Sequence, residues 1–403
     1  MEKNHEYFAR YFKIFNTCIH PAQFCRTRSP CSTVFSGLEE EKALVEFSKL
    51  QLLLKKSVQV RDGVRGIERP QQYMDYVKED PEILRVLANH HIVSARQFTK
   101  NTVIQLCRLA SHYEITPTLL HKPLADKIMI SAFSEPSTRT RFSFESAWNR
   151  LGGNVMSMTD PNTTGLAKGE SMEDIAEMFS NYGDVMVLRD TDSSSVYSIL
   201  EHLRIPIVNA GNGTDEHPTQ ALSDIYTILK WRPDLTDMDS SSENKIRIGI
   251  VGTPGRMRTV RSLLLLLSLF KDSISEISII NPSRDIFSDG QREELEKSGL
   301  KISIENTLNS ILPELDVVYI NSIAWIGDSY ETLTGDMQLN INSPLKKGSI
   351  ILHPLARGPE LDVSLDQTEH NWYFAQARGA VFLRMALLTC ILQKIDQVAD
   401  VQK

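Results

Sequence analysis

The segment Ser137-Thr138-Arg139-Thr140-Arg141 carries the densest chemistry in the chain. It follows an apolar run, Lys127–Phe133, and opens the amphipathic stretch RTRFSFESAWNRLGG. A strand that ends where a helix begins presents free N–H groups and the positive end of the helix dipole. Ser137 and Thr138 add hydroxyls suited to a helix N-cap. Arg139 and Arg141 add two permanent charges able to fork onto anionic oxygens. Such an assembly suits a phosphate. It is not a Walker loop: no G-x-x-x-x-G-K-[ST] occurs, and Glu135-Pro136 stands where that motif has glycine. Taken alone, the motif also reads as an ordinary capped helix with solvated arginines.

A second cluster, His217-Pro218-Thr219-Gln220, again lies between an apolar run, Ile205–Asn209, and a helical stretch. Gly211 and Gly213 let the backbone bend, and His217 and Gln220 fall one helical turn apart on one face. Imidazole N–H and amide NH2 can then both donate to one carbonyl oxygen. A lone histidine at a helix start is more often a cap or a surface residue; two such motifs in one chain point to a shared site.

FSEPSTRTRFSFESA followed by NAGNGTDEHPTQALSDIYTI closely resembles the aspartate and ornithine carbamoyltransferases, and the resemblance runs from about His91 to about Leu392. The aspartate branch is nearer, because His353-Pro354-Leu355 carries proline where the ornithine branch usually has cysteine. The resemblance implies transfer of a carbamoyl group from carbamoyl phosphate to an amine, with no metal and no organic cofactor. It makes Ser137, Thr138, Arg139 and Thr140 the phosphate cradle, with Thr140 also near the carbonyl. It gives Arg189, at the end of VMVLRD, contacts to phosphate and carbonyl, and makes His217 and Gln220 donors to the carbamoyl group. Arg139, Thr140, Arg189, His217 and Gln220 are thus the candidate catalytic set. Thr164 and Lys168, in TGLAKGE, resemble a loop that enters a neighbouring subunit's site, which implies a homo-oligomer with a trimer as its smallest complete unit. Arg258 resembles the grip on the acceptor's α-carboxylate, although Arg256 and Arg261 lie close by. His353-Pro354-Leu355-Ala356-Arg357 resembles the HPLPR loop whose carbonyls receive the amine, with Ala356 in place of the second proline.

The departure from the family lies at Asn321-Ser322-Ile323-Ala324-Trp325. Aspartate carbamoyltransferases carry an Arg-x-Gln pair here, and its arginine binds the side-chain carboxylate. Ser322 and Ala324 stand in those positions, and a buried unpaired carboxylate is costly. The expected acceptor is therefore a small amino acid or amine other than aspartate. A local realignment that brings another arginine to the site is a second possibility. Two rival functions stand beside it: an aspartate carbamoyltransferase of pyrimidine biosynthesis, and a non-catalytic relative that kept the anion site.

With 403 residues, 41% hydrophobic and 24% charged, the chain can bury one large or two ordinary cores. A net charge of −7 argues against nucleic acid as the main partner, so any anion site is a local basic cluster. Cys18, Cys25, Cys31, Cys107 and Cys390 form an odd, scattered set that suits free thiols in a reducing compartment. MEKNHEYFARYF lacks an apolar signal core, and no apolar run reaches the ~18–20 residues of a membrane span, so the expectation is a cytoplasmic protein without a membrane partner.

Residues 1–88 fall outside the resemblance and are expected to form a partly helical extension, with one helix over Leu38–Lys56 and a polar linker over 60–73. From residue 89 the pattern alternates. Strands are predicted at 127–133, 154–158, 185–189 and 205–209, with helices at 100–113, 138–151, 171–182, 194–203 and 217–231. A second series has strands at 245–251, 276–281, 301–304, 317–320 and 349–352, helices at 257–270 and 288–298, and a terminal helix over Gln376–Val398. Such alternation predicts an α/β protein of two doubly wound parallel-sheet domains with the site in the cleft between them. The expected boundaries are 89–232 for carbamoyl phosphate, 245–375 for the acceptor, and 376–403 for a C-terminal helix packing back on the first domain.

Overall fold

The computed structural model describes residue 66 and residues 68–399, apart from 118, 120, 161–162, 284 and 322–336. The helix predicted over Leu38–Lys56 and the acceptor positions Ser322 and Ala324 lie outside these residues.

The first polar stretch is less linker-like than its composition. Arg69–Tyr76 is a helix, α1, started by Pro70 at a position where the missing N–H costs nothing. Its Tyr73 is buried and donates to the Ile104 carbonyl on α2, Lys100–Ile115. Tertiary burial of one aromatic thus recruits residues that read as irregular.

Four parallel strands follow: β1 Ile128–Phe133, β2 Asn154–Met158, β3 Val185–Asp190 and β4 Ile207–Asn212, in the order β2-β1-β3-β4. Between them run α3 Thr138–Arg150, α4 Met172–Tyr182 and the single turn α5 Ser195–Ser198, and α6 Pro218–Trp231 closes the half. The helix predicted over 194–203 shortens to α5 and a 3-10 turn, Leu200–His202.

A second parallel sheet holds β5 Ile246–Val251, β6 Ile274–Ile280, β7 Ile302–Glu305, β8 Val317–Ile320 and β9 Ile350–Leu352, in the order β7-β6-β5-β8-β9. Its helices are α7 Arg258–Ser268 and α8 Gln291–Lys297. The last long helix, α9 Tyr373–Ile391, packs against α2, α3 and α6 of the first half. Gln393, in the left-handed region at φ +58°, ends that stretch, and only the short α10, Asp396–Ala399, follows. With 19 residues, α9 is long and apolar enough by length and composition for a membrane span, but it carries Arg378 and Arg384, and 78% of its most apolar 18-residue window is buried inside the protein, as in a core helix.

Both sheets reverse their winding once, between β1 and β3 and between β5 and β8. In doubly wound sheets the crevice beyond the strand ends at that reversal is where ligands bind. The two crevices open on one cleft of about 1290 Å³.

Candidate active site

The donor side of the cleft is built on β1 and β3. Phe133 and Arg189 are register partners, and the Ser134 N–H donates to the Arg189 carbonyl at 3.0 Å. The loop after β1 therefore starts directly over the end of β3. Ser137 takes the N-cap position of α3 in extended backbone, but its side chain makes no capping bond. Elsewhere, Thr99 caps α2 and Ser171 caps α4. The hydroxyl of Ser137 and the first N–H groups of α3 stay available for an anion. The α6 and α7 starts, at His217 and Met257, are likewise without side-chain caps and face the same cleft. Three positive helix ends converge there.

The arginines reinforce that field. Burial and the Arg258 charge pull the Arg189 guanidinium down, against the opposing pull of Glu135. Desolvation and the Arg189 charge do the same to Arg139. Cations crowded in this way are stabilised by an incoming anion. Glu135, from the loop after β1, accepts from Arg189 Nη2 at 2.7 Å and from Arg258 Nη2 at 2.9 and 3.1 Å. Burial pushes its carboxyl up, but bonds and charges from Arg258 and Arg189 outweigh this and hold it below the usual range.

His217 is buried at the N-cap of α6, with its N–H bonded to Ser262 Oγ at 2.9 Å. Its Nε2 lies 3.4 Å from Thr140 Oγ1. Burial first, then Arg189, Arg258 and Arg384, depress its pKa well below 6.5, so the ring is neutral near pH 7. A neutral imidazole beside a buried hydroxyl can donate one hydrogen bond to a developing oxyanion without bringing a full charge.

Gln220 carries a constraint that the spacing did not show. Its amide Nε2 donates to Asp224 Oδ1 at 2.7 Å. That bond uses one of the two amide N–H groups and orients the amide, leaving Oε1 and the second N–H for the cleft. Gln220 therefore offers an acceptor suited to an N–H of a carbamoyl group or amine, beside one remaining donor.

On the acceptor side, Gly252 and Gly255 shape the turn between β5 and α7; a Cβ on Gly255 would meet Ser288 N at 2.5 Å. The turn carries Arg256 and Arg258 to the cleft wall. Arg258 donates from Nη1 to the Gly213 carbonyl at 2.8 Å as well as to Glu135, and Gly211, at φ +111°, has no side chain to obstruct it. Pro354, Leu355, Ala356 and Arg357 line the cleft, and the Leu355–Ala356 peptide is cis. Arg357 is paired with Asp366.

Three expected site residues are not lining residues of this chain's own cleft. The His353 ring is buried, with Nε2 2.8 Å from Glu360 and Nδ1 accepting from the Leu355 N–H at 2.7 Å. It shapes the loop from behind. Thr164, just before a 3-10 turn, Gly165–Lys168, and Lys168, at its end, do not line the cleft, and Lys168 is exposed. Sequence reasoning missed Glu135, Asp224, Arg256 as a wall residue, and Gln376. For Asp224 a signal exists, since it stands four residues after Gln220 on one helical face.

Comparison with known proteins agrees with this geometry. Residues 90–230 match the carbamoyl-phosphate-binding domain of the aspartate/ornithine carbamoyltransferases, and residues 244–391 match their aspartate/ornithine-binding domain. The chain belongs to that family and is a carbamoyltransferase of the aspartate branch. The catalytic subunit of aspartate carbamoyltransferase from Methanopyrus kandleri is 35% identical, over 76% of this chain and 98% of that protein. Its counterpart from Pyrobaculum islandicum is 36% identical, over 75% and 98%. The crystal structure of Trypanosoma cruzi aspartate transcarbamoylase with carbamoyl aspartate and phosphate superposes with a TM-score of 0.68 at 30% identity, covering 77% of this chain and 98% of that one. These relatives correct the expectation of an acceptor other than aspartate. Substitution at Ser322 and Ala324 alone does not remove the chain from a group of aspartate enzymes that it matches along nearly their whole length.

Proposed function

We propose that this protein transfers the carbamoyl group of carbamoyl phosphate to the α-amine of aspartate. The observation that carries this is the convergence, on one cleft, of an uncapped helix start with Arg139 and Arg189 from one sheet and of Arg256 and Arg258 from the other. Residues 89–232 serve the donor and 245–375 the acceptor, a division supported by the two family matches.

Ser137, Thr138 and Arg139 hold the phosphate, Thr140 and His217 polarise the carbonyl, and Arg189 steadies both. Gln220 Oε1 accepts from the carbamoyl amide. The neutral amine attacks the carbamoyl carbon and an oxyanion forms against His217 and Thr140; its collapse breaks the carbamoyl C–O bond to phosphate, the amine's surplus proton leaves on the departing phosphate, and the arginines receive the remaining phosphate charge. Preorganised donors of this kind contribute about 3 kcal/mol each.

Aspartate brings two carboxylates. Arg258 meets one. Arg256, exposed on the same wall and with no ion pair or hydrogen bond from its side chain among the described residues, suits the other.

The working form is a homo-oligomer, with a trimer as its smallest complete unit, in which Lys168 and Thr164 serve a neighbour's cleft. Their absence from the lining of their own cleft and the exposure of Lys168 support this. A cytoplasmic location is supported by the free, buried thiols of Cys107 and Cys390.

The test is phosphate release from carbamoyl phosphate over a panel of amino acids, with the product identified by mass. Aspartate is expected to give the highest kcat/KM; a higher value for ornithine or a neutral amino acid overturns the reading.

A further inference from the structure

Asp224 sits wholly buried on α6, one turn beyond Gln220. A single oxygen, Oδ1, accepts from Gln220 Nε2 at 2.7 Å and from Gln376 Nε2 at 2.5 Å. Gln376 is buried on α9, and its Oε1 accepts the backbone N–H of His353 at 2.8 Å. His353 opens the loop that brings Pro354 and Leu355 to the cleft, and its ring takes the Leu355 N–H at 2.7 Å. One carboxylate oxygen therefore touches the donor subsite directly and the acceptor loop through one amide. The three elements involved come from distant parts of the sequence, and the residues that carry the bonds, Asp224, Gln376 and His353, are all buried.

We infer that Asp224 and Gln376 are positioning residues for the carbamoyl transfer. Asp224 turns the Gln220 amide so that its carbonyl oxygen meets the carbamoyl group. Gln376 ties the acceptor loop to the same carboxylate, so that the two subsites keep one register. Neither residue touches substrate.

The groups around Asp224 suit that role. It faces Gln220 from its own helix, Tyr319 from β8, and Gln376 and Arg384 from α9. Burial pushes its carboxyl up to about 7, while the amide bonds, Tyr319 and the Arg384 charge pull the other way.

The inference rests on the carbamoyl-transfer reading, and its test has an arm that does not depend on the acceptor. The probes are phosphonoacetamide, an unreactive mimic of carbamoyl phosphate, and inorganic phosphate, both titrated calorimetrically into the full-length protein. In Asp224→Ala, Gln220 is released. Phosphonoacetamide affinity is expected to fall about tenfold, with phosphate affinity unchanged, because a bond to a fixed amide is lost and the cradle is not. Asp224→Asn keeps an acceptor at Oδ1 and is expected to restore the preference. In Gln376→Met, a variant of similar shape, the phosphonoacetamide preference stays, while KM for aspartate rises and kcat falls about tenfold or more through loop misplacement. Thermal melting verifies that each variant is folded. If Asp224→Ala does not fold, the Asp224→Asn and Gln376→Met arms decide. The inference is overturned if folded Asp224→Ala keeps the wild-type preference, if Asp224→Asn loses it, or if Gln376→Met keeps wild-type kinetics. Failure of the wild type to use aspartate overturns the acceptor reading alone, since the phosphonoacetamide arm still reads the Asp224 contact.

Discussion

Glu135, on the loop after β1, and Arg258, at the start of α7, belong to opposite halves of the protein and meet across the cleft through two hydrogen bonds, at 2.9 and 3.1 Å. Arg189 shares the same carboxylate at 2.7 Å. One acidic residue thus links the guanidinium of the donor side to that of the acceptor side, and does so with both cations only 13% and 15% exposed. A charge-assisted bond in such a setting is stronger than one at an open surface.

Removing that link uncouples the two halves. Glu135→Gln keeps the shape and loses the charge. Hydrogen bonds to charged groups are worth about 1.5–3 kcal/mol, so kcat/KM for aspartate is expected to fall about 10- to 100-fold. Small-angle scattering checks the structural side: the variant is expected to show a wider cleft. Wild-type kinetics in this variant contradict the linking role.

Arg139 belongs to the phosphate cradle. Arg139→Ala removes a charge-assisted contact and is expected to weaken inorganic phosphate binding by about 1.5–3 kcal/mol. Calorimetry measures this directly, and an unchanged dissociation constant refutes the cradle.

Lys168 is expected to act on a neighbour. Lys168→Ala and Arg139→Ala are each inactive in this reading, and mixing them restores activity, because a hybrid interface contains one intact site. Recovery after dissociation and reassociation is the measurement. A fully active monomer in sedimentation rules the arrangement out.

Arg256 supplies the second carboxylate contact. Arg256→Ala is expected to raise KM for aspartate about tenfold, consistent with the loss of one charge-assisted bond, and to leave phosphate affinity intact. Equal KM values in the variant and the wild type remove Arg256 from the acceptor site.

The stability of the protein carries the imprint of His217. Its folded pKa lies well below its ordinary value of 6.5, so the unfolded chain binds the proton more readily. Stability is therefore retained above about pH 6.5 and is lost as pH falls from there through the folded pKa. His217→Asn is expected to flatten this acid limb in melting curves taken between about pH 5 and 8, the range where imidazole ordinarily titrates. An acid limb identical to that of the wild type assigns the effect to other groups.

The alternation of apolar runs with amphipathic stretches settled the sheets from sequence alone, because parallel strands must be buried on both faces and each needs a covering helix. Val317–Ile320 falls on the residues that the apolar pattern marks and is buried throughout, whereas Asn154–Met158, at the edge of its sheet, is largely exposed. Ser137 through Thr140, Arg189, His217 and Gln220 were legible for a similar reason: polar groups at strand-to-helix junctions announce themselves against apolar neighbours. Other features depended on partners far along the chain. Sequence spacing put the Gln220 amide toward a carbonyl, but one of its N–H groups goes to Asp224, and only packing makes Asp224 a buried acceptor. Gln376 reads as one polar residue in a terminal helix until α9 docks and brings it within 2.5 Å of Asp224. Glu135 becomes a link between two arginines only when both sheets face one cleft. Periodicity records which face of an element is buried, and so fixes the elements; charge pairing across 123 residues of sequence exists only once the chain has folded.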